Sequence, residues 1–299
     1  MTAILTHQAC TGPYITSTRP PAHMADCIEQ YRHFNTGPLY ILTDRDNLSY
    51  LPTGDNIHVF AIEDYHSTKV ARFESLYNYK RDEFWCVTFT RLIYIENFLQ
   101  HHGLNHVCEF ANDVLIYFDI DDYAQTFKRL YSGLAVTPCG PQHTLDGFAY
   151  IADWQALASM TGFWIKILAT LGIDGIIGKY HYDMVNEMTM MHLYHTEVGI
   201  ETLPILPFGD HSMHFEHFGS VFDPATYGQY VGGTRVDGPG VKPTNHYVGH
   251  VLNAHPEYDV VWERGVPFFS YEEKLARVNN LHIHSKNMRP YMSRERLDK

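Results

Sequence analysis

The residues of this chain best suited to chemistry are acids that directly follow apolar runs. Asp113 ends the trio AND at 111–113, which separates the apolar runs HVCEF and VLIYF. Asp119 opens DIDD, which follows the second run. Carboxylate oxygen is the ligand that hard divalent cations prefer, and such cations stabilise a leaving phosphate. We favour Asp113, because a complete strand pattern precedes it; an acidic helix cap is the alternative for the Asp119 cluster.

A pair of histidines near the carboxyl end could serve the same chemistry. His282 and His284 alternate with apolar residues, so both face one side of an extended segment. Imidazole is a common metal ligand, and Ser285 and Lys286 follow as candidate diphosphate contacts. An exposed edge strand with two solvated histidines explains the same spacing.

Two arginines offer guanidinium forks, which suit a diphosphate or a neighbouring carboxylate. These are Arg72 in KVARFESLY and Arg91 in TFTRLIYI. We favour the salt bridge over the diphosphate for both.

Strands and helices alternate among the elements that must position these residues. Apolar runs predict strands over 38–43, 56–62, 106–110 and 114–118, and a buried helix over 85–100 that ends near Gly103. This alternation predicts an α/β fold whose first part is a parallel sheet, with ligands at the carboxyl ends of its strands. Further along, the patterns predict helices over 153–171 and 186–194, long ordered loops over 203–240, strands over 258–263 and 280–284, and a basic segment over 286–296.

The charge balance restricts the partners. The chain has 34 acids against 22 Lys and Arg, a net charge of -12, which disfavours nucleic acid as a partner. Five cysteines without a CxxC pair argue against a disulfide framework or zinc knuckle. The sequence has no secretion-signal pattern and no run approaching the roughly 20 apolar residues of a membrane span. We therefore expect a cytoplasmic protein without a transmembrane segment.

The order of PLYILTD, TRLIYIENFLQ, VCEFANDVLIY and NNLHIHSK resembles the GT-A nucleotide-sugar glycosyltransferases over most of the chain. The resemblance implies a GT-A fold, with a Rossmann-like mixed sheet flanked by helices, in a single domain over 1–299. Residues 1–120 would form the nucleotide-binding half and 121–299 the acceptor-side half. The implied reaction transfers a sugar from a nucleotide-diphosphate sugar to a glycan or other hydroxyl acceptor, with Mn²⁺ or Mg²⁺ at the diphosphate.

In that family an acid-x-acid motif after a strand holds the metal, and a C-terminal histidine often completes the shell. Asp113 and His284 match these positions. Ala111 stands where the first acid is expected, so Asn112 and Asp113 are the polar members that remain. Glu109 faces the same side of the strand as Ala111 and is a candidate to compensate.

Further roles follow from the resemblance. Thr43 and Asp44 correspond to contacts with the nucleotide's base or ribose, although a simple turn after a strand explains them equally well. Glu187 opens the helix near the acceptor, where helix capping is the alternative. In an inverting enzyme Glu187 or Asp223 would deprotonate the acceptor; a retaining enzyme needs no such base. The loop over 222–234 offers aromatic rings and glycines to a sugar.

Two other functions compete with the transferase. A metal-dependent phosphoester or nucleotide hydrolase would use the same acids and histidines, but the chain has no HExxH or HxHxD pattern. A nucleotide-sugar-binding module without catalysis fits the missing acid at Ala111.

Overall fold

The computed structural model describes residues 1–9, 19–54, 56–78, 83–140, 142–206, 213–233, 259–271 and 274–294. Sequence predictions that involve Cys10, Tyr258 or residues 207–212, 234–240 and 295–296 lie outside these ranges.

Seven strands form the central sheet, and its order is β3-β2-β1-β4-β7-β6-β8. A four-stranded sheet has the order β10-β11-β12-β9, and β13 pairs with β5. The strands are β1 (Thr2–His7), β2 (Leu39–Thr43), β3 (Ile57–Ala61), β4 (Val107–Ala111), β5 (Val114–Ile116), β6 (Leu134–Gly140), β7 (His143–Ile151), β8 (Glu201–Thr202), β9 (Ser220–Val221), β10 (Asp259–Glu263), β11 (Val266–Tyr271), β12 (Lys274–Val278) and β13 (Asn280–His282).

The central sheet is mixed. Strands β3, β2, β1 and β4 are parallel to one another, whereas β7 pairs antiparallel with both β4 and β6. The parallel pairs align the carboxyl ends of these four strands at one edge: His7 lies opposite Thr43, and Thr6 lies opposite Ala111. The predicted α/β class, a mixed sheet flanked by helices, is confirmed.

Helices cover both faces of the sheet and bury two apolar cores. They are α1 (Ala22–Phe34), α2 (Thr68–Tyr77), α3 (Glu83–His102), α4 (Ala124–Leu130), α5 (Trp154–Tyr180), α6 (Glu187–Glu197), α7 (Phe215–Phe218) and α8 (Tyr227–Gly232), with 3-10 turns at Arg45–Tyr50, Ile62–Tyr65 and Arg289–Tyr291. Side chains alternate along each strand. Leu5 of β1 therefore joins α1 in one core, while Ile4 joins α2, α3, α5 and α6 in the other.

The run over 114–118 does not continue the central sheet as the sequence predicts. Only 114–116 is strand, and it pairs antiparallel with β13, with Val114 opposite His282. Asn112 and Asp113 form the turn at which the chain leaves β4 for this small sheet. This departure carries the segment after β13 to the carboxyl end of β4.

Several elements carry no clear sequence signal. β1 and α1 lie near the start of the chain, where the sequence analysis predicts no element. β7 is buried along its whole length, so it lacks the alternation by which a half-buried strand is recognised. The mixed sheet thus depends on a strand that periodicity could not predict.

The long helix α5 bears on the membrane question. Asp153 caps it as predicted, by accepting a hydrogen bond from the backbone N–H of Ala156. Gly172, at φ 64°, breaks its regular geometry. By length and composition alone α5 could cross a membrane, whereas Trp164 and Leu168 are buried in the core of this fold. The absence of a transmembrane segment stays a prediction.

Gly228 at the start of α8 tests how closely that helix packs against β13. A Cβ at Gly228 would lie 2.2 Å from the carbonyl oxygen of His282. We expect Gly228→Ala to lower the free energy of unfolding by about 2 kcal/mol or more, measured by urea denaturation. Gly162→Ala is the matched control, because no atom lies within 4 Å of its added Cβ, and we expect it to stabilise α5 by about 0.5–1 kcal/mol. Equal stability of the two variants would contradict the close approach.

Candidate functional site

Asp113 is the centre of the candidate site. It lies in the turn after β4, is 6% exposed, and its Oδ1 lies 2.9 Å from His282 Nε2. Its Oδ2 forms an ion pair with Lys286 Nζ. Burial alone would raise the pKa of Asp113, but the charges of His282 and Lys286 outweigh it and hold this pKa well below its usual range. Asp113 is therefore an ionised carboxylate with both oxygens engaged.

The backbone of the segment 282–286 is fixed against the turn that carries Asp113. The N–H of Ile283 donates to the carbonyl oxygen of Asp113 at 2.9 Å, and the N–H of Lys286 donates to that of Ile283 at 2.9 Å. Lys286 has φ 60°, in the left-handed region that non-glycine residues seldom adopt. This tight turn directs the Lys286 side chain back to Asp113.

Asp223 holds β13 to the start of α8. Its Oδ1 accepts the backbone N–H groups of Thr226 and Tyr227 at 2.7 and 2.8 Å, and its Oδ2 accepts those of Gly228 and His282 at 2.8 Å each. A carboxylate has about four lone-pair sites, so these bonds use all of them. Asp223 is also fully buried. A base role for Asp223 does not fit this geometry, in which the carboxylate instead holds the backbone of His282 against the start of α8.

Four histidines gather around Asp113. The rings of His282 and His284 lie 4.3 Å apart between centroids, and Asn112 Nδ2 lies 3.3 Å from His7 Nδ1. His23, in the first turn of α1, interacts with Asn112, Asp113 and Lys286. Sequence reasoning missed His7 and His23, since neither belongs to a motif.

Burial lowers the pKa of three of these histidines, so they are neutral near pH 7. The pKa of His7 falls to about 4, chiefly through burial and then through His23. Those of His23 and His284 are also lowered, with burial the largest cause. Within the described residues, His7 Nε2, His23 Nε2, His282 Nδ1 and His284 Nε2 are buried without a hydrogen-bond partner. Buried polar atoms in this state point to a polar ligand.

A second charged cluster lies near Asp113 on the α3 side of the sheet. Arg91 forms an ion pair with Asp146, and its Nη1 lies 3.5 Å from Glu109 Oε1. The salt-bridge interpretation of Arg91 thus fits its surroundings. Glu109 lies against Arg91 and does not replace the acid missing at Ala111. Asp146 precedes Gly147, which lies against the imidazole of His282: a Cβ added at Gly147 would be 2.9 Å from His282 Nδ1. The second cluster is thus next to the residues around Asp113.

Glu187 belongs to this second cluster. It is 7% exposed, and its Oε2 accepts a hydrogen bond from Thr88 Oγ1 at 2.8 Å. Burial, followed by the charge of Asp146, raises the pKa of Glu187 to about 7. Asn186 provides the helix cap in a capping box with Thr189, so the capping alternative for Glu187 is not needed. Its carboxylate is a candidate general base near neutral pH.

The remaining candidates from the sequence are Thr43, Asp44 and Arg72. Thr43 ends β2 beside His7; it is fully buried, with its hydroxyl unpaired within the described residues. Asp44 follows it and accepts a hydrogen bond from the N–H of Ala9, just beyond β1. Arg72 is exposed on α2 and, in the described part of the chain, forms no ion pair. Thr43 and Asp44 thus share the carboxyl edge with the site, whereas Arg72 lies exposed on α2.

The residues present do not fit the expected shell of Mn²⁺ or Mg²⁺. These hard cations prefer several oxygen ligands, and among the residues that the structure describes Asp113 is the one carboxylate of the cluster. Its Oδ2 already faces the ammonium of Lys286, which a cation would have to displace. Of the residues described, the three-ligand group with atoms within 4.8 Å of one another is His214, Glu216 and His217 on the surface at α7.

An open cavity of about 460 Å³ lies away from these residues. Gly103, His106 and Asp153 line it, at the end of β4 opposite to Asp113. None of the residues predicted to do chemistry is near it. The candidate site is therefore the buried polar cluster at Asp113.

No protein-family model matches this chain, and no curated protein matches it in sequence. Similar solved structures include apo mouse xyloside xylosyltransferase 1, at 6% identity and TM-score 0.44, over 67% of this chain and 83% of that one. The glycosyltransferase GlyE of Streptococcus pneumoniae TIGR4 matches at 14% identity and TM-score 0.37, over 68% and 44%. The galactosyltransferase LgtC, in complex with donor and acceptor sugar analogues, matches at 11% and 0.36, over 68% and 73%.

The pKa of Glu187 predicts a pH-dependent stability. A carboxyl group with a folded-state pKa near 7 and an unfolded value of 4.5 stabilises the fold below pH 4.5 and loses that contribution as the pH rises through 7. Glu187→Gln stays neutral at all pH values. We expect the free energy of unfolding of Glu187→Gln, minus that of the unsubstituted protein, to be higher at pH 8 than at pH 5 by on the order of 2 kcal/mol.

Urea denaturation at the two pH values measures this change. Glu197→Gln, at the exposed end of the same helix, is the control and should show no such difference. An equal effect of Glu187→Gln at pH 5 and pH 8 would show that Glu187 does not titrate in this range.

Proposed function

We propose that this chain is a glycosyltransferase that moves a sugar from a nucleotide-sugar donor to a hydroxyl acceptor. The observation that carries the proposal is the meeting of Asp113, His282 and Lys286 at the carboxyl edge of the parallel strands. Open α/β sheets bind ligands at this edge. An ammonium and several imidazoles beside one fixed carboxylate suit a phosphorylated ligand, despite the net charge of -12.

The donor would lie along this edge. Thr43 and Asp44 at the end of β2 face the base or ribose, as the sequence resemblance implies. The side chain of Lys286 is 35% exposed, so its ammonium can reach a diphosphate from solvent. His23 and Asn112 adjoin it and offer hydrogen bonds. Charge-assisted hydrogen bonds of this kind are the strong ones in phosphate recognition.

In the transfer, the bond between the anomeric carbon and the diphosphate oxygen breaks, and the acceptor oxygen bonds to that carbon. If configuration inverts, Glu187 takes the acceptor's proton, since its pKa of about 7 suits a general base. Arg91 and Asp146 fix the charge around Glu187. If configuration is retained, Glu187 faces the sugar, and the departing diphosphate oxygen takes the acceptor's proton.

A panel of nucleotide sugars with hydroxyl acceptors, followed by mass spectrometry, tests the function. We expect transfer from one donor, and in an inverting reaction a rate for Glu187→Gln lower by about 10²–10⁴-fold, the usual contribution of a general base. Affinity for the nucleotide should stay unchanged, because Glu187 belongs to the second cluster. Glu197→Gln is again the control and should transfer at the unsubstituted rate.

Other outcomes would point to the competing functions. Release of sugar or phosphate without an acceptor indicates the hydrolase. Nucleotide binding without turnover indicates the binding module. No binding of any nucleotide or nucleotide sugar contradicts the proposal.

A further inference from the structure

Lys286 takes the position at Asp113 that a cation would need. One oxygen of Asp113 lies against His282 and the other against the Lys286 ammonium. Ala111 supplies no second carboxylate, and Glu109 is turned to Arg91. The positive charge at this point is therefore provided by the chain itself.

The fold holds this ammonium in place. The backbone of Ile283 is bonded to Asp113, and Lys286 closes a tight turn at φ 60°. The side chain of Asp113 is 9% exposed, whereas the side chain of Lys286 is 35% exposed. An anion that approaches from solvent therefore meets the ammonium of Lys286 before the carboxylate of Asp113. The carboxylate lies deeper and holds the ammonium in position.

A second observation indicates a missing polar ligand at the same place. The Nε2 atoms of His23 and His284 are buried and, within the described residues, without a hydrogen-bond partner. The ring of His284 lies 4.3 Å from that of His282 between centroids, and His23 interacts with Lys286. Neutral imidazoles carry one N–H each and can donate to phosphate oxygens.

We propose that the donor diphosphate binds here without a divalent cation, with the ammonium of Lys286 in the cation's place. The identity of the ligand rests on the proposed function; the absence of a cation requirement does not. Lys286 would contact the diphosphate and stabilise the negative charge of the departing nucleotide. Asp113 and His282 are positioning residues that hold Lys286.

A manganese titration tests the cation directly and needs no nucleotide. Free Mn²⁺ is followed by electron paramagnetic resonance in the His214→Ala/His217→Ala variant, which removes the surface cluster at α7. We expect the same Mn²⁺ binding with and without Asp113→Asn. Stoichiometric binding that Asp113→Asn abolishes would overturn the proposal.

Calorimetry with UDP, GDP and CDP tests the role of Lys286. For the best nucleotide, we expect affinities in EDTA and in Mn²⁺ to agree within about threefold, and Lys286→Gln to weaken binding by roughly 10- to 100-fold. Lys286→Arg should retain most of the affinity, because it keeps the charge. Lys166→Gln, exposed on α5, is the control. Far-UV circular dichroism establishes that each variant is folded.

The outcomes separate the two proposals. Tightening by Mn²⁺ of more than about tenfold, or unchanged binding in Lys286→Gln, overturns the role of Lys286 while leaving the transferase intact. If no nucleotide binds in either buffer, the proposed function fails and the role of Lys286 in diphosphate binding fails with it. The manganese titration then still decides whether Asp113 holds a cation.

Discussion

The carboxylate of Asp223 determines where His282 lies. It is fully buried and accepts backbone N–H groups from the start of α8 and from His282, which are separated by more than fifty residues. Without these bonds, four buried donors would lose their partner, at about 1–3 kcal/mol each. β13 pairs with β5 on one side, and the Asp223 carboxylate bonds it to the start of α8 on the other. The contact between His282 and Asp113 follows from that arrangement.

The two clusters of charged residues at the carboxyl edge differ in their charge. Around Asp113 the surplus is of cationic and neutral hydrogen-bonding groups, which suits a phosphorylated ligand. Around Arg91 the surplus is acidic, since Asp146, Glu109 and Glu187 share one guanidinium. Burial raises the pKa of Glu109 to about 8 and that of Glu187 to about 7, so protons, not further cations, offset the excess negative charge. The proposed proton acceptor and the proposed anion-binding group thus belong to two separate clusters with different charge.

The parts of this arrangement that are local in sequence could be predicted. Apolar runs located β2, β3 and β4, helical spacing located α3, and the Asn112-Asp113 interruption located the central carboxylate. The HxH spacing indicated the segment that meets it. His7 and His23 could not be found, because their role depends on β1 and α1 reaching Asn112 across the sheet. The role of Asp223 was also hidden, since a carboxylate that binds only backbone N–H groups leaves no pattern in the side chains around it.

The two glycines nearest His282 are constrained differently, and this affects how the sequence can diverge. Gly147 approaches the imidazole ring of His282, so a smaller residue at 282 would make room for a larger one at 147. Gly228 approaches the main chain of His282, at its N, C and O atoms, which every residue at that position shares. Relatives that have lost the histidine can therefore accept a side chain at position 147 but not at position 228. A glycine kept at both positions marks a retained site, whereas one kept at 228 alone marks only a retained fold.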